Sequence, residues 1–304
     1  QREKREVTRQ VYRILSDYTG RTLAWGMLTG VRPTKLAMQR LEKEKEAGGH
    51  SEGDVQEAVV SYLEEEYFVS REKAVLAYQV ARREQELLAK LDCRNGFSLY
   101  VGIPFCPSVC SYCSFSSSPL EKWKDRVDAY LDALIKEIHG LSQMSAGRRL
   151  DTVYIGGGTP TTLEPEQLER LLGCISGAFD LEGTLEFTVE AGRPDSITEE
   201  KLAVLKKYPV SRISINPQTM QQKTLDLVGR KHTVKQTEDA FHMARALGFD
   251  NINMDLIAGL PGETADDMRD TIQQIEGLRP DSLTVHALAI KRAARMGQEG
   301  RTAD

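Results

Sequence analysis

Three cysteines fall within eight positions of the stretch LYVGIPFCPSVCSYCSFSSS, residues 99–118, as C-x3-C-x2-C: Cys106, Cys110 and Cys113. A structural zinc site is closed by four ligands, whereas a cubane [4Fe-4S] cluster takes four thiolates, one for each iron. Three thiolates on a cubane leave one iron open to another ligand. Pro104 and Pro107 bracket the first cysteine and bias the loop to an extended path, which suits wrapping a cluster better than continuing a helix. A zinc knuckle completed by a distant histidine is the other reading of the trio. Cys93 and Cys174 lie apart from it and are expected to be ordinary buried thiols, Cys174 on an apolar helix face.

Other residues with chemistry to offer punctuate the chain further on. GGGTPT, residues 156–161, removes side chains where a backbone must approach a ligand, or simply makes a tight strand-to-helix turn. Glu190 ends a run that reads as a buried strand, where a lone carboxylate is costly, so it needs a cationic or hydroxyl partner. Arg193 and Arg212 are the candidate cations for a purely structural pairing. Asn216, Pro217 and Gln218 follow another strand-like run, Asp255 lies inside the next, and His286 inside the last, as a core histidine or a substrate contact. Arg230 is either a ligand contact or a charge closing a helix C-terminus.

These residues need a scaffold that brings them together. The runs FSLYVGI, DTVYIGG, TLEFTVE, VSRISIN, NINMDLIAG and DSLTVHALAI read as strands, and helical periodicity fills the intervals, as with Val127, Leu131, Leu134, Ile138 and Leu141. Alternating strands and helices build right-handed βαβ units on a parallel sheet. The cysteine loop, GGGTPT, Glu190, Asn216–Gln218, Asp255 and His286 each lie in or just after one of the six strands, toward the rim on which β/α barrels build their sites. The alternation allows an open doubly wound sheet or a full or partial β/α barrel, and the position of these residues favours the barrel; the expected fold class is α/β, a partial (β/α)6 TIM-like barrel over residues 93–304. Residues 1–92 show only helical patterning and are expected to form an N-terminal helical domain or extension.

The whole chain has 304 residues, 40% of them hydrophobic, and a net charge of −5. That supports a sizeable core and argues against nucleic acid as the main partner, since no basic block concentrates anywhere. No run approaches a membrane span, and the N-terminus is not a signal peptide, so a cytoplasmic protein without membrane partners is expected. Five cysteines in so long a chain suit reduced metal ligands better than a disulfide framework. The chain starts at Gln1 and stops at GQEGRTAD soon after a strand-like segment, which reads as a fragment lacking a C-terminal, substrate-closing domain.

The cysteine motif, with Tyr112 just before its last member, resembles the signature of the radical S-adenosylmethionine (SAM) enzymes. The ordered set LYVGIPFC, YIGGGTPT, ISINPQT, LVGRKHT and NMDLIAGLPGET is similar to that of the oxygen-independent coproporphyrinogen III dehydrogenases (oxidases), the HemN/HemZ-like family, and WGMLTGVRPTK resembles the HemZ-type members. The resemblance implies a radical SAM barrel carrying a [4Fe-4S] cluster on Cys106, Cys110 and Cys113 and two molecules of SAM. It places Tyr100, Tyr112, Gly157 and Glu190 at the first SAM, and Gly158, Thr159, Gln218, Arg230, Asp255 and Ala289 at the second. It also implies an oxidoreductase of heme (porphyrin) biosynthesis that decarboxylates coproporphyrinogen III propionates to vinyl groups, fed by an electron donor such as flavodoxin or ferredoxin. Two alternatives share these motifs: a heme-binding chaperone and a two-SAM radical methyltransferase or porphyrin-modifying enzyme. Two departures bear on the substrate. Gly102 stands where the family often has histidine, and Phe115 where the oxidases carry a further cysteine.

Overall fold

A computed structural model of the chain describes residues 2–29, 32–49 and 51–300. Gly30 and Val31, inside WGMLTGVRPTK, and the last four residues of GQEGRTAD lie outside the described residues. The chain divides into two compact units, Gln1–Leu91 and Asp92–Asp304.

The first unit is helical: α1 (Arg2–Thr19), α2 (Pro33–Ala47), α3 (Glu52–Tyr67) and α4 (Arg71–Leu88). Pro33 opens α2 at a position whose N–H has no partner in any helix, and Ser51 and Asp54 close a reciprocal capping box at the start of α3. Ala74, Ala77 and Ala81 give α4 a small-residue face against Leu41 of α2 and Val59 and Leu63 of α3. Helix α1 packs the other way round from what its amphipathic pattern predicts. Its Val7, Val11, Ile14 and Tyr18 are exposed. Arg9 and Arg13 instead lie over the Phe68 ring and Tyr12 stacks on it, while Arg5 and Arg9 pair with Glu66. Cation–π and ion-pair contacts with one aromatic corner have taken the place of apolar burial.

The second unit begins with β1 (Gly96–Ile103), a short parallel pair β2 (Phe105–Cys106) and β3 (Ser118–Pro119), and helices α5 (Leu120–Trp123) and α6 (Val127–Met144). It continues through β4 (Arg149–Gly157), α7 (Pro165–Ala178), β5 (Glu186–Gly192), α8 (Glu199–Lys207), β6 (Arg212–Ile215), α9 (Gln222–Leu227) and α10 (Val234–Ala246). It ends with β7 (Ile252–Ala258), α11 (Ala265–Leu278), β8 (Ser282–Ala287) and α12 (Arg295–Gln298). Six strands form one parallel sheet in the order β1-β4-β5-β6-β7-β8, the partial barrel expected from the βα alternation.

The strand sequences sort their residues by face. Val153, Ile155, Phe187, Val189, Ile213, Ile252 and Met254 are buried in the core with Leu131, Leu171, Leu172 and Phe241 of the helices. The alternate positions are polar and bond to one another: Asn253 Nδ2 donates to Ser214 Oγ at 3.0 Å and to Asp255 Oδ1 at 2.7 Å, and Ser282 and Thr284 hydroxyls donate to Asn253 Oδ1. Period-two alternation thus gives the sheet a dry outer face and a hydrogen-bonded inner one that leads up to the rim. No helix among the described residues is long and apolar enough to cross a membrane.

Candidate functional site

The loop after β1 carries the cysteines, and neighbouring backbone holds it at several points. Ser118 N–H donates to Pro104 O at 2.7 Å, which pinches the loop shut. Gly158 N–H donates to Ile103 O at 2.7 Å and Thr159 N–H to Phe105 O at 2.8 Å, so the turn after β4 is zipped onto the residue before Cys106. Ser111 N–H reaches Val228 O at 3.0 Å, and Ser111 O accepts from Met296 N–H at 3.0 Å.

The glycine triplet has a separate reason at each place. A Cβ on Gly158 would meet Phe105 O at 2.6 Å, and one on Gly156 would meet the Tyr154 ring at 2.6 Å and Glu190 Oε2 at 3.0 Å. Gly157 sits at φ +107°, a conformation that side chains rarely tolerate.

A cavity of about 410 Å³ opens at this rim, lined by all three clustered cysteines with Tyr112, Gly157, Gly158, Thr159, Glu190, Gln218, Arg230, Asp255 and Ala289. Tyr100 stands outside it, in an adjoining cavity of about 440 Å³ that shares Phe115, Gly157 and Glu190 with the first. Each strand end contributes, as the parallel topology requires. Gln218 does so from an uncommon backbone state, φ +70°, fixed by its N–H to Asp255 O at 2.9 Å and by Ile257 N–H to its own carbonyl at 2.8 Å.

The five cysteines are free thiols. Burial pushes the Cys106 and Cys113 thiols up from their ordinary value. Among the described residues no three His, Cys, Asp or Glu side chains are grouped to hold one metal ion, and the three thiols line the same cavity. Arg230 is buried, and its guanidinium donates to Asn216 O at 2.6 Å, Tyr112 Oη at 3.1 Å and His232 Nδ1 at 3.4 Å, with Cys110 Sγ at 3.9 Å. None of these partners is a carboxylate. A buried cation so placed favours negative charge on the sulfur side of the cavity. His232, wholly buried beside it, is pushed down to about 3 by burial and by the Arg230 charge, so it stays neutral at physiological pH.

Glu190 is held by Tyr154, whose hydroxyl donates to Oε1, and by the Gly157 N–H. Burial pushes its carboxyl up, the two hydrogen bonds pull it down, and the Asp255 carboxylate adds to the upward push. No Arg or Lys among the described residues makes an ion pair with Glu190 or Asp255. The cationic alternatives are engaged elsewhere: Arg193 pairs with Asp195 at 2.7 Å, and Arg212 with Glu186 at 3.6 Å. Of the two kinds of partner expected for Glu190, the structure has the hydroxyl.

Other expectations are corrected too. His286 is exposed at the cavity wall and is not a core histidine, because β8 lies at the sheet edge with its inner face open. Cys93 is exposed in the turn before β1, and Cys174 is half-buried with His139 Nε2 3.8 Å from its sulfur. Sequence reasoning passed over Tyr154. Its signal was phase: it stands two residues before Gly156 on β4, and Tyr100 on β1, its register partner, stacks on it with ring centroids 5.9 Å apart.

An open α/β sheet whose first strand leads into a three-cysteine loop and whose second ends in a glycine rim defines a class. A family profile described as the Radical SAM superfamily matches residues 100–275, and the chain belongs to that superfamily. Within it, the chain is 41% identical over 287 residues, 93% of its length and 56% of the relative's, to the oxygen-independent coproporphyrinogen-III oxidase-like protein HemZ of Bacillus subtilis. It is 37% identical to the heme chaperone HemW of the same organism, over 64% of this chain and 51% of that one. The solved structure of coproporphyrinogen III oxidase (HemN) from Escherichia coli superposes with a TM-score of 0.62 at 30% identity, covering 72% of this chain and 50% of that one. The chain spans about half the length of the curated relatives it matches.

Membership implies a [4Fe-4S] cluster and SAM. The residues fit both groups. Three free thiols line one cavity beside a buried guanidinium that makes no ion pair within 4 Å among the described residues, which suits an anionic cluster. On the same cavity, Glu190 and Asp255 present carboxylates that make no ion pair among the described residues, which suits a ligand that brings an ammonium or sulfonium.

Proposed function

We propose that this chain is the cluster- and SAM-binding core of an oxygen-independent coproporphyrinogen III oxidase-like enzyme. The observation that carries the reading is the meeting, on one cavity, of three free thiols with the carboxylates of Glu190 and Asp255, which make no ion pair among the described residues. The similarity to HemZ over nearly the whole chain supports the substrate class.

Cys106, Cys110 and Cys113 would hold the cluster and leave one iron open. When bound, cluster and SAM together supply a 5′-deoxyadenosyl radical, an oxidant for an unactivated C–H bond. Glu190, oriented by Tyr154 and Gly157, would help hold the first SAM, together with Gly157, Tyr112 and Tyr100. Gly158, Thr159, Gln218, Arg230, Asp255 and Ala289 border the place for a second. The substrate change would be transfer of a β-hydrogen atom from a propionate to the deoxyadenosyl radical, then loss of carbon dioxide and of one electron to an external one-electron acceptor, leaving a vinyl group, at two propionates of coproporphyrinogen III. A flavodoxin or ferredoxin would serve as electron donor in a cytoplasmic setting.

Anaerobic reconstitution with iron and sulfide, then reduced-state EPR with and without SAM, tests the site. The expected signal is a cubane that shifts on adding SAM and disappears in Cys106→Ala, Cys110→Ala or Cys113→Ala. Carbon dioxide release from coproporphyrinogen by the reconstituted protein tests the substrate. Heme transfer without SAM turnover would instead favour the chaperone activity named for the HemW relatives, and methyl transfer to a substrate the methyltransferase reading.

A further inference from the structure

Arg193 follows β5 and belongs to none of the roles above. It is 3% exposed, yet its guanidinium is saturated in two directions. On one side Nε and Nη2 grip Asp195 Oδ1 and Oδ2 at 2.9 and 2.7 Å, a two-point pairing within a single turn of its own chain. On the other, Nη1 donates to Ser108 O at 3.1 Å and to Ser108 Oγ at 2.6 Å. Ser108 stands midway between Cys106 and Cys110, and its hydroxyl donates onward to Gly229 O at 3.1 Å, next to Arg230. A buried, bidentate ion pair is expensive to assemble and is useful where it fixes one geometry.

We propose that Arg193 is the positioning residue of the cysteine loop: braced by Asp195, it holds Ser108 so that Cys106 and Cys110 face one cavity before any cluster is bound. The proposal rests on the assignment of these cysteines as cluster ligands only for its consequence, iron retention; the preorganised loop is a property of the protein alone. The backbone bonds already described hold the loop's entry at Pro104–Phe105 and its later part at Ser111, whereas Ser108 has no backbone anchor of its own among them. Without the guanidinium, the segment between the first two cysteines is left with the single bond to Gly229.

Three variants of the whole chain separate the outcomes: Arg193→Met, Arg193→Lys and Ser108→Ala. The last removes no buried charge and covers the case in which Arg193→Met does not fold. Hydrogen exchange of iron-free protein is expected to show the Ser111 and Cys113 amides opening on the order of tenfold faster in Ser108→Ala and Arg193→Met, with β5 and β7 unchanged. Arg193→Lys, whose ammonium cannot bridge two partners in the same fork, falls between. After reconstitution, iron loss to a chelator should be roughly tenfold to a hundredfold faster, with a broadened reduced-state EPR line that Arg193→Lys partly restores. Unchanged loop exchange in folded Ser108→Ala and Arg193→Lys would overturn the clamp. So would faster exchange with wild-type iron retention and EPR line shape. If the wild type takes up no iron, the ligand assignment fails, and the exchange data still decide the loop's preorganisation.

Discussion

Substituting Gly158 by alanine asks how rigidly the glycine rim and the cysteine loop are joined. The added Cβ would lie 2.6 Å from Phe105 O, 2.9 Å from Ile103 O and 3.0 Å from Phe105 C, all backbone atoms that no rotamer change can move. Relief requires the two strand ends to separate, which stretches Gly158 N–H to Ile103 O and Thr159 N–H to Phe105 O, now 2.7 and 2.8 Å. Overpacking costs about 1–3 kcal/mol and each of the two weakened bonds about 1 kcal/mol, so a loss of about 3–5 kcal/mol is expected. Urea unfolding followed by Trp123 fluorescence in a Trp25→Phe background reports on the second unit alone, since the chain has two tryptophans. Gly140→Ala is the control: it lies within α6 with nothing within 4 Å of its Cβ, so it should gain about 0.5–1 kcal/mol from helix propensity. A Gly158→Ala protein with wild-type midpoint and full iron uptake would refute the close-approach reasoning.

Three further outcomes follow from the buried charges. Because burial raises the Glu190 carboxyl above its ordinary value, the iron-free protein loses stability as pH rises through the unfolded-state pKa; Glu190→Gln should be the more stable protein near neutrality and lose that advantage in acid, as thermal melts across pH will show. His232, held down to about 3, gives stability that is complete above about pH 6.5 and falls by about 1.4 kcal/mol per pH unit toward pH 3; His232→Asn should flatten that acid limb. Tyr154→Phe should leave iron uptake intact but weaken SAM affinity, increasingly so toward acid pH as Glu190 protonates more readily, with equilibrium SAM binding at several pH values as the check.

The sequence by itself determined the parallel sheet, because strands alternating with helices build βαβ units, and the phase of its strands, because an alternation of period two leaves a buried outer face and a polar inner face only one arrangement. It also determined that Cys106, Gly157, Glu190, Gln218 and Asp255 would reach one rim, since parallel strands end on the same side. Partner choice was decided only by the tertiary structure. Glu190 met a tyrosine from the next strand and no arginine, Arg193 was claimed by Asp195 two residues on and by a serine 85 positions away, and His286 was left open at a sheet edge. Helix α1 turned its arginines inward because an aromatic corner, set by α3 and its cap, happened to face it. Periodicity is a local property carried by each segment, whereas the pairing of side chains tens of residues apart depends on distances that exist only once the sheet has assembled.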